Sequence, residues 1–424
     1  MLPSGLRVVT ERMRGSHTFN LGFFAAVGSR WETPRLHGAS HFLEHVLFKG
    51  TRRRTPEQIS AAIESVGGEL NAYTAKEHTC FYTRVLARDA DLAVDVLADM
   101  ITSSTMPAKE IESERAVILD EIAMHSDDPG ETAHELITGE LLGGGLDKPV
   151  IGSPRSIREL TRTQILGYWK RRYRPERLVI SATGKVDHDR LVAQLSDYEA
   201  LAAVRPTGAS NGAANGSARP AGRPPSPVTG EPVVLTRSRR FEQSTAVLAG
   251  PGPGLFDDDR FPIGLLSIIV GGGMASRLFV EVRERRGLAY GIEAGETSYS
   301  DAGLWSVDWQ CAPDRVAEIL TLVRQCLADL AEHGVTAEEL RRAKGQLAGQ
   351  TVLSFEGPQS RMSRLGTAEL HGDPRSVADL LTGYDAVTAE DVRRVAADLL
   401  AQRQVLAVVG PSTALRPLRR ALTA

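Results

Sequence analysis

Cysteine is scarce in this chain, and long apolar runs are absent. The three cysteines, Cys80, Cys311 and Cys326, are odd in number and widely spaced, so they supply neither a disulfide framework nor a Cys-rich zinc module. No apolar run reaches the ~18 residues that span a bilayer, and the N-terminus lacks the apolar segment of a secretory signal. We therefore expect a cytoplasmic protein with no membrane partner.

Neither sign of charge is in clear excess. Lys and Arg total 50 against 53 Asp and Glu, a formal net charge of -3. A field this weak does not favour an anionic partner, so we expect no binding to nucleic acid. Apolar residues make up 42% and charged residues 24% of the chain, which is typical of soluble globular proteins. A length of 424 residues is enough for two large domains.

One segment is poor in large apolar residues. From position 205 onwards Gly, Ala, Ser, Asn and Pro dominate, and no large apolar residue precedes Val228. Such a segment cannot offset the entropy of ordering by burial. We interpret residues 205–231 as a flexible linker between an N-terminal domain, 1–204, and a C-terminal domain, 232–424.

Both halves of the chain begin with strand-like segments and continue with helical ones. Strands are predicted at 6–10 and 19–28 in the first half, and at 233–235 and 245–250 in the second, where a helix at 261–270 follows. This order, given twice, predicts two α+β domains of similar design.

The segment GASHFLEHVLFKG at positions 38–50 predicts an amphipathic helix with a polar, chemically reactive side. His41 and His45 are four residues apart and share one face, with Glu44 close beside them. Two imidazoles on one face can bind zinc, and the neighbouring carboxylate is placed to take a proton from the water that zinc activates. The side of the helix opposite these three residues carries Phe42, Leu43, Val46 and Leu47. A helix with two histidines at the edge of the core is the alternative interpretation.

A second predicted helix offers a third ligand. Glu114 and Glu121 are seven residues apart, two helical turns, and lie along an apolar stripe that includes Val117 and Ile118. Buried carboxylates need partners; a metal for one and a hydrogen-bonded supporting role for the other would satisfy both. A salt-bridged or partly exposed helix face is the alternative.

These motifs together resemble the pitrilysin-type zinc metallopeptidases (inverzincins), in particular their short-chain, processing-peptidase-like branch. The resemblance rests on GSRWE, HFLEHVLFKGT, GGELNAYTAKEHTCFYT and ERAVILDEI, and it covers nearly the whole chain. It implies a metallohydrolase-like duplication of one α+β domain. It further implies one zinc ion per chain held by His41, His45 and Glu121, with Glu44 as general base and Glu114 supporting the site.

The resemblance also implies four substrate-facing residues. Asn71 and Ala72 lie in a predicted edge strand, where a peptide can add as a further strand; an ordinary turn and strand is the alternative. Arg283 and Tyr290 would reach the substrate from the second domain, the tyrosine hydroxyl donating to the oxyanion. A charged helix face for Arg283 and a core position for Tyr290 are the alternatives.

The function expected from these residues is zinc-dependent endopeptidase activity on unfolded or short peptides. The resemblance further implies a homodimer in which the second domain of each subunit completes the partner's site. A catalytically silent scaffold subunit of the same fold is the first alternative. A metal-dependent hydrolase that acts on other substrates is the second.

Overall fold

The structure, a computed structural model, describes residues 1–203, 230–412 and 418. These residues form two compact units, defined here as unit 1 (1–122, 148–203 and 353–374) and unit 2 (123–147, 230–352 and 375–412, with 418). Each unit thus takes one segment from the other half of the sequence. The predicted domains, by contrast, are separated at the linker alone, and their boundaries stay a prediction. Reasoning from the sequence did not foresee the exchange of segments 123–147 and 353–374. Except for its last two residues, the predicted linker lies outside the described residues.

The sheet of unit 1 has five strands in the order β1-β5-β2-β4-β3. β1 pairs with β5 in parallel, and the other pairs are antiparallel. β3 forms an edge of the sheet. The strands are β1 (Arg7–Arg12), β2 (Thr18–Ala25), β3 (Glu69–Thr74), β4 (Thr79–Leu86) and β5 (Leu178–Gly184).

The sheet of unit 2 repeats this topology, with the order β6-β10-β7-β9-β8 and a parallel pair only between β6 and β10. The two predicted α+β domains of similar design are confirmed. The strands are β6 (Val233–Ser238), β7 (Ser244–Gly252), β8 (Ala289–Ser298), β9 (Gly303–Cys311) and β10 (Val405–Gly410).

Helices cover both faces of each sheet. None of the described helices combines the length and the apolar character that crossing a bilayer demands. In chain order they are α1 (Ala39–Leu47), α2 (Pro56–Glu64), α3 (Ala90–Ser103), α4 (Ala108–Asp127), α5 (Pro129–Leu141), α6 (Pro154–Glu159), α7 (Arg162–Arg172), α8 (His188–Ser196), α9 (Glu199–Ala202), α10 (Arg260–Gly271), α11 (Val316–His333), α12 (Ala337–Ser354), α13 (Pro358–His371), α14 (Val377–Ala386) and α15 (Ala389–Ala401).

Strand alternation gives each sheet two apolar faces. In β2, Phe23 packs into the main core of unit 1, whereas the next residue, Phe24, packs against Met362 and Leu370 of α13 on the other face. This is the expected period of two for a strand buried on both sides. Unit 2 shows the same division, with α5 covering the second face of β7 and β10.

The exchanged helix α13 lies unusually close to the sheet of unit 1. A Cβ atom on Gly366 would stand 2.2 Å from the Phe24 ring, and one on Gly22 would stand 2.4 Å from the Met362 sulfur. Only glycine permits this approach, because a side chain at either position would overlap with these neighbours. The helix is further held by the Ser181 hydroxyl, which donates to the Met362 carbonyl at 2.8 Å.

Candidate metal centre

Helix α1 places two imidazoles and a carboxylate on one side because its other side is fully apolar. The predicted helix is observed as Ala39–Leu47. Burial of its apolar side fixes the rotation of the helix about its axis, so His41, Glu44 and His45 face away from the core. The four residues that anchor it are wholly buried: Phe42, Leu43, Val46 and Leu47.

Helix α4 brings Glu121 to these histidines. Its Oε2 atom lies 3.7 Å from Nε2 of His41 and 3.5 Å from Nε2 of His45. Ligands about 2.0–2.1 Å from a tetrahedral zinc ion lie about 3.3 Å from one another, so the carboxylate oxygen lies near the spacing that zinc requires from each histidine. One potential ligand atom from each of the three residues lies within 4.8 Å of the other two. Glu121 Oε2 is buried, and no group in the described part of the chain hydrogen bonds to it. The residues present therefore fit a zinc ion.

Glu114 contacts the nitrogen of the His45 ring that does not face Glu121. Glu114 is only 5% exposed; its Oε2 lies 3.0 Å from Nδ1 of His45, and its Oε1 forms an ion pair with Nζ of Lys49 at 2.8 Å. Because an ionised carboxylate only accepts, Nδ1 carries the proton and Nε2 is left with its lone pair directed at the cluster. Of the predicted apolar stripe on this helix, Ile118 is buried, whereas Val117 is exposed.

Glu44 is held by β3. Its Oε2 accepts a hydrogen bond from the Thr74 hydroxyl at 2.5 Å. Burial raises the pKa of the Glu44 carboxyl above its usual value, while the bond from Thr74 and the nearby His45 act in the opposite direction. A higher pKa makes the carboxylate a stronger base, as a proton acceptor needs to be.

The predicted substrate strand is the edge strand β3. Asn71 is exposed and Ala72 half-buried, and the side-chain oxygen of Asn71 accepts a hydrogen bond from the amide of Ala72 at 2.8 Å. The Asn71 side chain thus occupies the backbone amide of Ala72. Their contact with a substrate stays a prediction.

Arg283 and Tyr290 meet in unit 2. The guanidinium carbon of Arg283 lies 4.7 Å from the centroid of the Tyr290 ring and 4.8 Å from that of Phe279. Tyr290 is 83% exposed, so it does not belong to the core. Stacking between two rings holds the guanidinium in place, and the tyrosine hydroxyl is open to solvent.

Unit 2 has no counterpart of the cluster. Within residues 1–203, 230–412 and 418, the group of His41, His45 and Glu121 is the one set of three metal-binding side chains close enough to share an ion. In unit 2 the helix that follows the second strand is α10, and it contains neither histidine nor glutamate.

Three supporting residues were missed by the reasoning from sequence: Glu32, Lys49 and Thr74. Lys49 lies two residues beyond the end of α1 and four residues after His45, a spacing close enough that it could have revealed the contact. Thr74 acts on a residue thirty positions away in the chain, so no local pattern identifies it. Glu32 precedes its partners by only six and eight residues, but no regular helix or strand spacing links them. Glu32 accepts hydrogen bonds from the amides of Gly38 and Ser40 at the start of α1.

Comparisons with known proteins agree with this geometry. The family model described as insulinase (peptidase family M16) matches residues 7–152, and the model of the M16 inactive domain matches 159–347. A protein named uncharacterized zinc protease in Streptomyces coelicolor is 44% identical, over 97% of this chain and 88% of its own length. The chain belongs to peptidase family M16. The resemblance to pitrilysin-type peptidases is thereby confirmed.

Other M16 relatives are similar over their whole length. The zinc protease YmxG of Bacillus subtilis, also named uncharacterized, is 32% identical over 96% of this M16 chain and 97% of its own. A crystal structure of a Helicobacter pylori protease matches with a TM-score of 0.87 at 19% identity, over 97% of this chain and 98% of that one. An M16 inactive-domain structure from Pseudomonas fluorescens matches with a TM-score of 0.85 at 23% identity, covering 98% of both chains. At these identities the two structures show a common fold.

Proposed function

We propose that this M16 chain is a zinc-dependent endopeptidase that hydrolyses peptide bonds in unfolded or short peptides. The observation that carries the proposal is the convergence of His41, His45 and Glu121 within ligand distance of one another, with Glu44 beside them. A ligand set of two histidines and one carboxylate leaves a fourth position open, as hydrolytic zinc sites require.

When bound, zinc lowers the pKa of a coordinated water and polarises the scissile carbonyl. Glu44 takes the proton of the attacking water as the new carbon–oxygen bond forms. It returns that proton to the amide nitrogen, and the carbon–nitrogen bond then breaks to release the amine. The bond from Thr74 keeps the accepting carboxylate in place during both transfers. Burial of Glu44 favours its protonated state between these transfers.

The substrate would bind as a strand beside β3. An open sheet edge presents backbone groups that pair with any extended peptide, with little dependence on sequence. Folded proteins offer few such segments, so unfolded chains and short peptides are the favoured substrates. Asn71 and Ala72 would then exchange their mutual hydrogen bond for bonds to the peptide backbone.

The test is cleavage of a mixed pool of unstructured peptides, with cleavage sites mapped by mass spectrometry. Chelation should abolish the activity, and zinc should restore it. Glu44→Gln should retain zinc and lower kcat by about 10²–10⁴-fold, the usual contribution of a general base. Glu64→Gln, the same change on an exposed position of α2, should leave the activity unaltered.

Other outcomes would point to the two other functions. A zinc-loaded chain that cleaves no unstructured peptide would contradict the proposal and favour a silent scaffold subunit. Hydrolysis only of substrates other than peptides, lost in Glu44→Gln, would identify a different hydrolase.

We further propose that Arg283 and Tyr290 serve the site of a second copy of this chain in a homodimer. Both residues lie in unit 2, and the zinc ligands lie in unit 1, so one chain carries both halves of the machinery. After subunit exchange, a mixture of inactive Glu44→Gln and Tyr290→Phe chains should regain part of the activity. A mixture that stays inactive would show that each chain completes its own site.

A further inference from the structure

A segment before α1 ties that helix to the neighbouring hairpin. We define residues 28–38, which follow β2, as the strap; it contains two short 3₁₀ turns, Ser29–Trp31 and Pro34–Leu36. Its carboxyl end runs into the first turn of α1, where His41 is the third residue. The position of this turn therefore affects the metal cluster directly.

Gly38, the last residue of the strap, stands at the capping position of α1 but has no side chain with which to cap it. Its φ is 88°, and an added Cβ would stand 2.6 Å from Cδ1 of Ile157 and 3.0 Å from the Cα of Gly152. Only glycine tolerates both conditions. Helix starts leave backbone amides without partners, and a side chain at the capping position normally accepts from them. In α1 the acceptor must come from another residue.

Glu32 is that acceptor. Its Oε2 accepts from the amide of Gly38 at 2.7 Å, and its Oε1 accepts from the amide of Ser40 at 2.6 Å. The residue is only 3% exposed. Burial raises the pKa of Glu32 to about 7, against the effect of the two amides and of Lys148; in its ionised form the carboxylate also interacts favourably with the helix dipole. One carboxylate thus holds the backbone on both sides of Ala39, immediately before His41.

The other end of the strap is fixed to the turn between β3 and β4. Arg30 forms a buried ion pair with Glu77, Nη1 to Oε1, at 2.7 Å, and its amide donates to the carbonyl of Lys76 at 2.9 Å. The indole of Trp31 donates to the carbonyl of Glu77 at 3.4 Å. The strap therefore connects the helix that carries Glu44 to the hairpin that carries Thr74.

We propose that Glu32 is a positioning residue of the metal centre: through the amides of Gly38 and Ser40 it fixes the first turn of α1, and so sets His41 in register with His45 and Glu121. Its contribution to catalysis rests on the proposed function, whereas its contribution to metal binding does not. Without the carboxylate, the first turn opens, and the ligand nearest to it, His41, is lost before the other two.

Glu32→Gln tests this role with the least change of shape. The amide group offers one acceptor and one donor, so one of the two backbone amides is left facing another donor. Zinc titrated into the metal-free chain, in competition with a chromophoric chelator, should bind about 10–100-fold more weakly, the usual effect of losing a partner that orients a ligand. Hydrogen exchange at the amides of Gly38 and Ser40 should accelerate by a similar factor. Glu64→Gln should change neither quantity.

Two further measurements separate positioning from general destabilisation. Glu32→Asp keeps the charge on a shorter side chain and should recover part of the zinc affinity. In peptide cleavage, kcat of Glu32→Gln should fall while KM stays constant, because the edge strand β3 is not altered. If Glu32→Gln does not fold, Glu32→Asp alone should still show weaker zinc binding and faster exchange than the wild type.

Wild-type zinc affinity and wild-type amide exchange in a folded Glu32→Gln chain would overturn the inference. If the wild type cleaves no peptide but Glu32→Gln still binds zinc more weakly, the proposed function fails and the positioning role stands. If the wild type cleaves peptides and Glu32→Gln matches it in affinity, exchange and kcat, the positioning role fails and the proposed function stands.

Discussion

Helices α1 and α10 occupy the same place in two sheets of identical strand order, but only α1 carries a metal cluster. Each follows the second strand of its unit. One side of α1 is apolar and the other presents His41, Glu44 and His45, whereas α10 is apolar nearly all round and buried along most of its length. The same backbone position thus serves as a reactive site in one unit and as core in the other.

The helices on the opposite faces differ as well. In unit 1, the ring of His371 at the end of α13 lies beside that of His78, the residue before β4, with ring centroids 5.9 Å apart. In unit 2, His134 of α5 forms an ion pair with Asp308 of β9 at 2.6 Å. Burial lowers the pKa of His78 and of His371, whereas the hydrogen bond to Asp308 raises the pKa of His134. The two units should therefore respond differently to acid.

The largest effect is expected from Glu121→Gln. A structural zinc site of four ligands is worth about 10–16 kcal/mol, so the loss of one charged ligand should weaken zinc binding roughly 10²–10³-fold. Zinc content after gel filtration should fall from one ion per chain to near zero, while Glu332→Gln, an exposed change in unit 2, should keep one ion. Full zinc content in Glu121→Gln would contradict this prediction, because the ion would then be held without the Glu121 carboxylate.

Acid should weaken unit 1 through His78. Burial lowers its pKa to about 4, below the usual value of 6.5, so the unfolded chain takes up a proton that the folded chain resists. The contribution of neutral His78 to the free energy of unfolding is fully present above pH 6.5 and is lost as the pH falls towards 4. The loss amounts to up to about 3 kcal/mol, at 1.36 kcal/mol per pKa unit. His134 behaves in the opposite way: the hydrogen bond that its ring donates to Asp308 raises its pKa, so its contribution to stability is lost as the pH rises.

Urea unfolding between pH 4 and pH 7, followed by hydrogen exchange in each unit, measures this difference. His78→Asn should flatten the acid loss of stability in unit 1, and the exposed control His17→Asn should not. An unchanged pH profile in His78→Asn would assign the acid loss to other groups.

A smaller effect is expected from Glu114→Gln. An amide accepts only at one atom, so it cannot serve both His45 and Lys49, and the orientation of the His45 ring is less well defined. Zinc affinity should fall about 10–100-fold with the ion still bound at high concentration. Glu112→Gln is the matched control, since this exposed residue of the same helix contacts only Arg115 among the described ion pairs. Equal affinities in the two variants would remove Glu114 from the site.

The smallest effect compares glycines in the two exchanged helices. Gly366→Ala in α13 would force a methyl group against the Phe24 ring and should destabilise the protein by about 1–3 kcal/mol. Gly139→Ala in α5 meets no atom within 4 Å and should stabilise it by up to about 1 kcal/mol through helix propensity. Denaturant midpoints measure both, and a Gly366→Ala variant as stable as the wild type would show that α13 is not closely packed.

The sequence predicted those features that depend on local spacing. The separation of His41 and His45 predicted a shared helical face, and the two-turn separation of Glu114 and Glu121 placed both on one side of α4. The structure brings these residues together, although their chemical roles stay predictions. Features that depend on contacts between distant segments were missed. Helical periodicity shows that α5 and α13 have apolar sides, but it does not show which sheet each covers.

The exchange of α5 and α13 bears on the order in which the chain can fold during synthesis. The last strand of the first sheet ends at Gly184, yet the helix that covers its second face begins only at Pro358. At about 5–20 residues per second, the ribosome needs roughly 9–35 s to produce the chain between them. Throughout this interval Phe24 and Val179 remain without their apolar cover. Exposed apolar surface makes a nascent chain prone to aggregation, and the second face of this sheet is covered only after most of the second half has been made.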